Sequence, residues 1–213
     1  MTVKKGDFIE LAYTGTVKDT GKVFDTTDPK IATENELNEK AEYKPVIVVL
    51  GEGHLIKGLD KFVEGKNLDQ NYEIEIKDED AFGKKSAKLL KLIPMKTFKD
   101  QQISPFPGLE VNVDNTFGIV RNVSGGRVII DFNHPLASHD LIYKFKITRV
   151  VSDKKEQVEA LLKLFDMKFK EISIAEDKAT VKLNTELPKE ILDKILEDVK
   201  RLAKLKDVTI QKQ

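Results

Sequence analysis

The sequence contains no cysteine among its 213 residues. Disulfides, thiolate nucleophiles and zinc sites built from cysteine are therefore excluded. Histidine is almost as scarce, and the three copies, His54, His134 and His139, follow no metal-ligand spacing. We therefore expect no metal site and no cofactor. A hydrolase built on these histidines also lacks a nucleophile in a recognisable sequence context.

The chain also lacks an excess of charge of either sign. Its 36 basic and 36 acidic residues cancel. Nearly all of the basic charge is lysine, and the only arginines are Arg121, Arg127, Arg149 and Arg201. Proteins that bind nucleic acid usually carry a basic patch, and arginine makes the commonest contacts to bases. We therefore expect no nucleic-acid partner.

Long apolar runs are missing as well. No stretch approaches the ~18 to 20 apolar residues of a membrane span. The beginning of the chain, MTVKKGDFIELAY, has no apolar segment of signal-peptide length. These absences predict a cytoplasmic protein with no membrane partner.

The most informative segment present is 46–65, VIVVLGEGHLIKGLDKFVEG. Its first five residues form a continuous apolar run, typical of a strand that is buried on both faces. Gly51 and Gly53 end this run. Apolar residues then recur at helical spacing as far as Gly65, a residue suited to a helix C-terminus. The segment predicts a strand and a short helix that enclose an apolar corner.

The flanking sequence predicts mostly strands. The chain opens with alternating residues at Phe8–Tyr13, and a helical patch at Ala32–Tyr43 precedes the corner. Asn71–Ile76 and Leu141–Val151 have strand patterns. Between these two strands, the tip Ser124-Gly125-Gly126 is flanked by apolar residues, which is a hairpin signal.

Beyond Ser152 the sequence becomes helical and highly charged. The predicted order is α-β-β-α-β, which indicates a separate α+β module with a thin core. A module of this size often completes its core against a partner. One possible partner is a second copy of the chain, which would form a homodimer through the apolar helix face at Val158–Phe165 or the one at Ile191–Leu202. The segments are a helix at Val158–Phe165, strands at Phe169–Ile174 and Thr180–Leu183, a helix that begins at Pro188, and a strand at Val208–Ile210.

Four strings resemble a known family in order and spacing. The string LGEGHLIKGLD in the corner segment, Phe24-Asp25 in GKVFDTT, AFG at 81–83 and NHPLA at 133–137 are similar to sequences of FKBP-type peptidyl-prolyl isomerases, in particular the SlyD-like branch. The resemblance covers residues 2–151. It implies an α+β fold in which an antiparallel half-barrel sheet wraps around a short helix, and a small β domain is inserted near the pocket.

The resemblance also implies the domain boundaries and the activity. Residues 1–83 with 132–151 would form the isomerase domain, 84–131 the inserted chaperone domain, and 152–213 the C-terminal α+β domain. The expected activity is cis-trans isomerisation of X-Pro bonds. The expected partners are unfolded or proline-containing polypeptides.

The family's functional positions carry over to this chain residue by residue. Tyr13, Asp25 and Ile56 would be catalytic: the first two orient the carbonyl before proline, and the backbone amide of Ile56 binds the carbonyl after it. A buried carboxylate needs a hydrogen-bond partner, and Tyr13 is the natural one for Asp25. The apolar pocket would be lined by Phe24, Val46, Leu55, Leu59, Phe82, Leu136 and Tyr143.

The chain departs from the family pattern at three places. Phe82 replaces a tyrosine, and Leu59 stands where many eukaryotic members have tryptophan, so macrolide binding is not expected. The chain ends in RLAKLKDVTIQKQ instead of a His-rich tail. Nickel handling is therefore not transferred.

The predicted insert contains more apolar residues than a segment of its length can easily bury. Some of them would stay exposed and bind client segments, and the alternative for each is a place in the insert's own core. The candidate client-binding residues are Leu89, Leu92, Ile93, Met95, Phe98, Phe106 and Phe117. Two further functions remain open: a non-catalytic holdase that binds unfolded chains through the insert, and a dimeric assembly module.

Overall fold

The computed structural model describes residues 1–113, 116–183 and 188–211. The chain forms two compact units: Met1–Ile76 together with the chain from Leu141 onward, and Lys77–Asp140. The predicted α+β class is confirmed, since antiparallel sheets dominate and the helices are few. The predicted insert, 84–131, lies within the second unit. The division into three domains stays a prediction.

The first unit is built on a five-stranded antiparallel sheet. Its strands run in the order β2-β1-β9-β4, and β3 pairs with β1. In β1 and β9 the residues alternate between buried and more exposed positions, as expected of a sheet with one face on a core. A short helix, α2, buries Leu59 and Val63. The elements are β1 Phe8–Val17, β2 Val23–Thr26, α1 Pro29–Glu34, β3 Val46–Val49, α2 Lys57–Val63, β4 Asn71–Ile76 and β9 Leu141–Val150.

Helix α1 is shorter than the predicted patch Ala32–Tyr43 and begins earlier. The Asp28 side chain accepts hydrogen bonds from the backbone amides of Lys30 and Ile31, and Pro29 occupies the first helical turn. These are strong signals for a helix start. The helix ends at Glu34 because the backbone turns back, with Glu36 at φ +53°. The polar residues that follow form turns.

The C-terminal module has the predicted α-β-β-α-β order. Its sheet runs β10-β11-β12, with β10 antiparallel and β12 parallel to β11. Glu176 and Asp177 both have positive φ and form the turn between β10 and β11. The elements are α4 Lys154–Leu164, β10 Phe169–Ala175, β11 Lys178–Leu183, α5 Lys189–Leu202 and β12 Asp207–Gln211.

This module shares a hydrophobic core with the five-stranded sheet. Phe8 and Val49, paired across β1 and β3, belong to the same buried cluster as Val158 and Leu161 of α4. The neighbouring residue Val48 is also buried and points to the opposite face of its strand. The continuous apolar run of β3 is therefore explained, because the C-terminal module covers the face of β3 that carries Val49.

The shared core corrects one prediction about the C-terminal module. The α4 face at Val158–Phe165 was expected to form a dimer surface. Val158, Leu161 and Leu162 are instead buried within the chain itself. The second expected dimer face, Ile191–Leu202 of the last helix, packs in the same cluster, where Val199 and Leu202 are buried. A dimer through either face would require this shared core to open.

The second unit contains a four-stranded antiparallel sheet in the order β5-β8-β7-β6. The predicted hairpin tip is confirmed: Gly125 and Gly126 have φ of +55° and +73°, as a tight two-residue turn requires. One face of the sheet packs on a core of Phe98, Val120, Val128 and Ile130. The elements are two 3₁₀ turns at Asp78–Asp80 and Ala87–Leu89, β5 Leu90–Pro94, α3 Met95–Asp100, β6 Glu110–Val113, β7 Thr116–Ser124 and β8 Arg127–Asp131.

Candidate active site

The structure places the side chains of Tyr13 and Asp25 in direct contact. The Tyr13 hydroxyl donates a hydrogen bond to Asp25 Oδ2 at 2.6 Å. Strand register explains the contact: Asp25 is paired with Gly15 on the neighbouring strand, so it lies on the same face as Tyr13. The Tyr13 backbone is held by Thr27, whose hydroxyl accepts from the Tyr13 amide at 2.8 Å. The expected Tyr13–Asp25 bond is thus present.

Two aromatic rings lie beside this pair. The Tyr143 ring centroid is 5.9 Å from that of Tyr13 and 5.8 Å from that of Phe24, and Phe24 meets Tyr143 edge-on at 77°. Such tilted and edge-to-face arrangements are the favoured ones for aromatic pairs. Tyr13, Phe24, Asp25 and Tyr143 therefore form one connected group, which we call the aromatic-carboxylate cluster.

Gly15 makes the close approach of Phe24 possible, and the sequence analysis missed this residue. A Cβ atom on Gly15 would lie 2.5 Å from Phe24 Cζ. The pairing of β1 with β2 also shifts register between Gly15 and Thr16. A glycine inside a strand often marks a bulge or a close contact. That signal was available in the alternating pattern of β1.

Burial controls the ionisation of the two tyrosines. Burial of Tyr13, with further contributions from its hydrogen bond to Asp25 and the charge of that carboxylate, raises the pKa of the Tyr13 hydroxyl. Burial and the Asp25 charge also raise the pKa of Tyr143. Both hydroxyls therefore stay protonated well beyond neutral pH, and the Tyr13 hydroxyl remains a hydrogen-bond donor.

The corner between β3 and α2 carries the other predicted residues of this unit. Val46 is paired with Leu11 on β1. Ile56 is the residue immediately before α2, and its carbonyl accepts the backbone amide of Asp60 at 2.9 Å. Leu59 is almost fully buried, whereas Val46, Leu55 and Ile56 are partly exposed. Leu59 can therefore support a pocket floor, while the other three are accessible.

His54 organises this corner, which the sequence analysis did not predict. Its Nδ1 accepts a hydrogen bond from the backbone amide of Val49 at 3.1 Å. Partial burial lowers the pKa of His54. The imidazole is therefore neutral at physiological pH, as an accepting Nδ1 requires.

Phe82 and Leu136 belong to the second unit, so their place in the prolyl pocket stays a prediction. Within that unit, the Phe82 ring stacks on His134 with centroids 4.1 Å apart and planes 2° apart. His134 Nδ1 also accepts the backbone amide of Leu136 at 3.2 Å. His134 therefore contacts both Phe82 and Leu136. The sequence did not predict this role, because the three histidines follow no recognisable spacing.

The NHPLA string contains a polar junction of the second unit. Asn133 exchanges two hydrogen bonds with the Ser86 backbone, at 2.7 and 3.1 Å, and donates to Asp131 Oδ1 at 2.7 Å. Arg121 donates to Asp131 Oδ2 at 3.0 Å. Burial alone would raise the pKa of Asp131, but the hydrogen bonds from Asn133 and Arg121 outweigh it and lower the pKa.

The predicted client-binding residues of the second unit differ in exposure. Phe98 is a correction: it is only 4% exposed and belongs to the unit's core, so it has no free surface for a client. Ile93 and Met95 are partly buried against that core. Four of the predicted residues have exposed apolar side chains: Leu89, Leu92, Phe106 and Phe117. Leu90 and Ile103, which were not predicted, are exposed as well.

The part of the chain that the structure describes has neither a metal cluster nor a membrane-spanning helix. Within residues 1–113, 116–183 and 188–211, no group of three or more histidine, aspartate or glutamate side chains is arranged to hold a metal ion. None of the helices in these ranges has the length and apolar character needed to cross a membrane.

Comparison with known proteins relates the chain to one family. The family model of FKBP-type peptidyl-prolyl cis-trans isomerase matches residues 1–99, and that of the FKBP26 IF domain matches residues 91–136. The short-type peptidyl-prolyl cis-trans isomerase of Methanocaldococcus jannaschii is 30% identical over 155 residues, which cover 72% of this chain and 98% of that protein. The SlyD isomerase of Pasteurella multocida is 24% identical over 139 residues, which cover 62% of this chain and 66% of SlyD.

The chain belongs to the family of FKBP-type peptidyl-prolyl cis-trans isomerases. The predicted enzyme class and the SlyD-like resemblance are both confirmed. The residues beyond 151 lie outside both family models.

Proposed function

We propose that the aromatic-carboxylate cluster and the β3–α2 corner form the prolyl site. The observation that carries this assignment is the 2.6 Å bond between Tyr13 and Asp25 beside Phe24 and Tyr143. The Phe24 and Tyr143 rings offer an apolar surface to the proline. Asp25, fixed by Tyr13, orients the carbonyl before proline, and the Ile56 amide binds the carbonyl after it.

A site of this kind is sufficient to catalyse rotation about an X-Pro amide bond. An X-Pro amide must give up resonance at its twisted transition state, with a barrier of about 18 to 20 kcal/mol. A planar amide has the larger charge separation, so an apolar pocket disfavours it relative to the less polarised transition state. A ten-thousand-fold acceleration requires about 5.4 kcal/mol at 1.36 kcal/mol per decade. A few oriented polar groups in an apolar pocket are enough for this.

The second unit would bind the client polypeptide. Leu90, Leu92 and Phe117 alternate with residues that face the unit's core, so they lie on the other face of its sheet. Phe106 lies on the loop that follows α3 and is the most exposed of these residues, at 58%. Contiguous exposed apolar surface typically marks a binding site. We propose that unfolded, apolar segments bind here before their prolines reach the prolyl site.

Serine substitutions at two residues of this sheet face and at Phe106 test the proposal in the full chain. A Leu92→Ser/Phe106→Ser/Phe117→Ser variant should isomerise a tetrapeptide at the wild-type rate and catalyse proline-limited protein refolding at least about tenfold less efficiently. Leu164→Ser is the matched control, because Leu164 is a 41% exposed leucine of α4 in the other unit. Equal refolding rates for all three proteins would remove the client-binding role.

Two further functions are kept as alternatives, each with its own readout. A holdase without catalysis would suppress aggregation but leave X-Pro isomerisation at the uncatalysed rate. A dimeric assembly module would show twice the monomer mass in light scattering of the full chain. On the Ile191–Leu202 face only Ile191, at 49%, has a largely exposed side chain, because Val199 and Leu202 are buried in the shared core and Leu192, Ile195 and Leu196 pack against it. A cytoplasmic location is also retained as a prediction.

A further inference from the structure

The C-terminal module is fixed to the isomerase domain by polar contacts as well as by the shared core. Arg149, near the end of β9, donates to Glu10 of β1 at 2.6 Å and to Glu156 of α4 at 2.9 Å. The side-chain amide of Gln157 donates to the Val151 carbonyl at 2.8 Å. The position of α4 relative to the sheet is thus defined by directional bonds.

Helix α5 of this module reaches the corner that precedes Ile56. The Arg201 guanidinium donates to Glu52 at 2.8 Å and, through its other terminal nitrogen, to Asp198 at 2.9 Å. Glu52 lies in the turn between β3 and α2, and its side chain is 22% exposed. The ion pair therefore joins residues 149 positions apart in sequence.

The same turn is held from inside by two further hydrogen bonds. The Gly51 amide donates to Asp60 Oδ1 of α2 at 2.9 Å, and the Val49 amide donates to His54 Nδ1. Gly51 has φ +81° and Gly53 has φ +75°. Glycine adopts positive φ easily, but its backbone also has more conformational freedom than that of other residues. The position of Ile56 therefore depends on contacts made by its neighbours.

We propose that Arg201 and His54 are positioning residues for the prolyl site. The Arg201–Glu52 pair would fix the turn from the side of the C-terminal module, and neutral His54 would fix it from within. Leu55 and Ile56 would then be held in place to receive the substrate. This gives the last sixty or so residues a part in catalysis. The inference rests on the proposed role of Ile56.

The charges around His54 provide a specific test. Glu52 of the turn, Asp60 of α2, and Asp198 and Arg201 of α5 all act on its ionisation. The three carboxylates favour the protonated form, and Arg201 opposes it. Protonated Nδ1 cannot accept the Val49 amide. The turn should therefore loosen as the pH falls through the pKa of His54.

Full-length variants separate positioning from general stability. Arg201→Gln and Glu52→Gln should each raise KM for a short X-Pro peptide about threefold and leave kcat within about twofold. The double variant should be no worse than either single one. Arg201→Lys should restore part of the loss. Lys182→Gln is the matched control, because it breaks an exposed ion pair with Glu171 in the same module and should change nothing.

The pH dependence distinguishes the two single variants. Arg201→Gln removes a positive charge and should move the acidic decline of kcat/KM to higher pH. Glu52→Gln removes a negative charge and should move this decline to lower pH. Shifts in the same direction, or an unchanged KM in both variants, would overturn the proposal.

A measurement without substrate tests the positioning independently of activity. The histidine NMR titration should show the same opposite shifts in the pKa of His54, and Arg201→Gln should accelerate hydrogen exchange of the Val49 and Gly51 amides. Unchanged exchange and titration would contradict the inference even if the wild-type protein is an active isomerase. An inactive wild type with altered exchange would instead contradict the proposed prolyl site and leave the positioning in place.

Discussion

The Tyr13 hydroxyl and the Asp25 carboxylate lie 2.6 Å apart, joined by a hydrogen bond between neighbouring strands. Thr27 holds the Tyr13 backbone, and strand pairing holds Asp25 opposite Gly15. The carboxylate is thus oriented before any substrate arrives. Such preorganisation is how a site without covalent chemistry lowers a rotational barrier.

Tyr13→Phe should reduce kcat/KM for an X-Pro peptide about tenfold. The variant keeps the ring but removes a hydrogen bond to a charged acceptor, and one decade corresponds to about 1.4 kcal/mol. The measurement is a protease-free isomerisation assay, with circular dichroism to confirm the fold. Wild-type turnover in this variant would show that Asp25 does not need its partner.

The two buried tyrosines should resist alkaline titration. Free tyrosine ionises near pH 10, but burial and the Asp25 charge raise the pKa of Tyr13 and Tyr143. Their protonated forms therefore stabilise the fold below the unfolded-state pKa, and this contribution is lost only as the pH rises through the higher folded values. Tyrosine absorbance should show a phenolate signal that appears only well above pH 10, and this late signal should shrink in a Tyr13→Phe variant. Ionisation of Tyr13 and Tyr143 near pH 10 would contradict the prediction.

Gly15→Ala should raise KM without unfolding the protein. The new Cβ would meet Phe24 Cζ at 2.5 Å, and the end of an aromatic side chain can move away. We expect a roughly three- to tenfold increase in KM, because the displaced ring no longer packs on Tyr143. The double variant Gly15→Ala/Phe24→Leu supplies the control. If the Ala substitution acts only through Phe24, its effect should disappear in the Phe24→Leu background.

Asn133→Ala should destabilise the second unit by about 1 to 3 kcal/mol, because it removes the side-chain hydrogen bonds to the Ser86 backbone amide and carbonyl and to Asp131 Oδ1. Thermal unfolding at neutral pH measures this loss. Acid should act on the same junction. Since the pKa of Asp131 is lowered, its stabilising contribution is present above the unfolded-state pKa and is lost as the pH falls through the folded value.

Asp131→Asn tests the acid effect directly. The difference in melting temperature between the wild type and this variant should be large at pH 7 and shrink as the pH falls below the ordinary aspartate value of about 4 and through the lower folded pKa of Asp131. A constant difference across this range would mean that the charge of Asp131 is irrelevant to the fold.

Leu161→Ala should destabilise the whole first unit. Leu161 is fully buried in the cluster that joins α4 to Phe8 and Val49, and such substitutions typically cost about 2 to 5 kcal/mol. Because the core is shared, the isomerase domain and the C-terminal module should unfold in one transition in both proteins. Two separate calorimetric transitions, with only one of them sensitive to Leu161, would contradict a shared core.

Much of the fold could be predicted from local patterns. The strand Asn71–Ile76, the Gly125-Gly126 hairpin and the order of the C-terminal elements follow from alternation, turn residues and helical spacing. The Tyr13–Asp25 contact followed from the cost of burying a lone carboxylate. These features depend on short stretches of chain or on one strong chemical requirement.

The missed features depend on contacts between distant segments. The burial of α4 against β3, the Arg201–Glu52 pair and the stacking of Phe82 on His134 all join parts of the chain that no spacing rule connects. Phe98 was placed on the client-binding surface because its apolar character is the same in a core and on an exposed face. Only packing distinguishes the two cases.

The most direct test of the central claim is the isomerisation of a short X-Pro peptide by the full chain and its Asp25→Ala variant. A protease-free assay at neutral pH gives kcat/KM for both, and circular dichroism shows whether the variant is folded. We predict clear catalysis by the wild type and a loss of at least about tenfold in the folded variant. Equal catalysis by the two proteins would contradict the assigned site, and catalysis by neither would contradict isomerase activity in this chain.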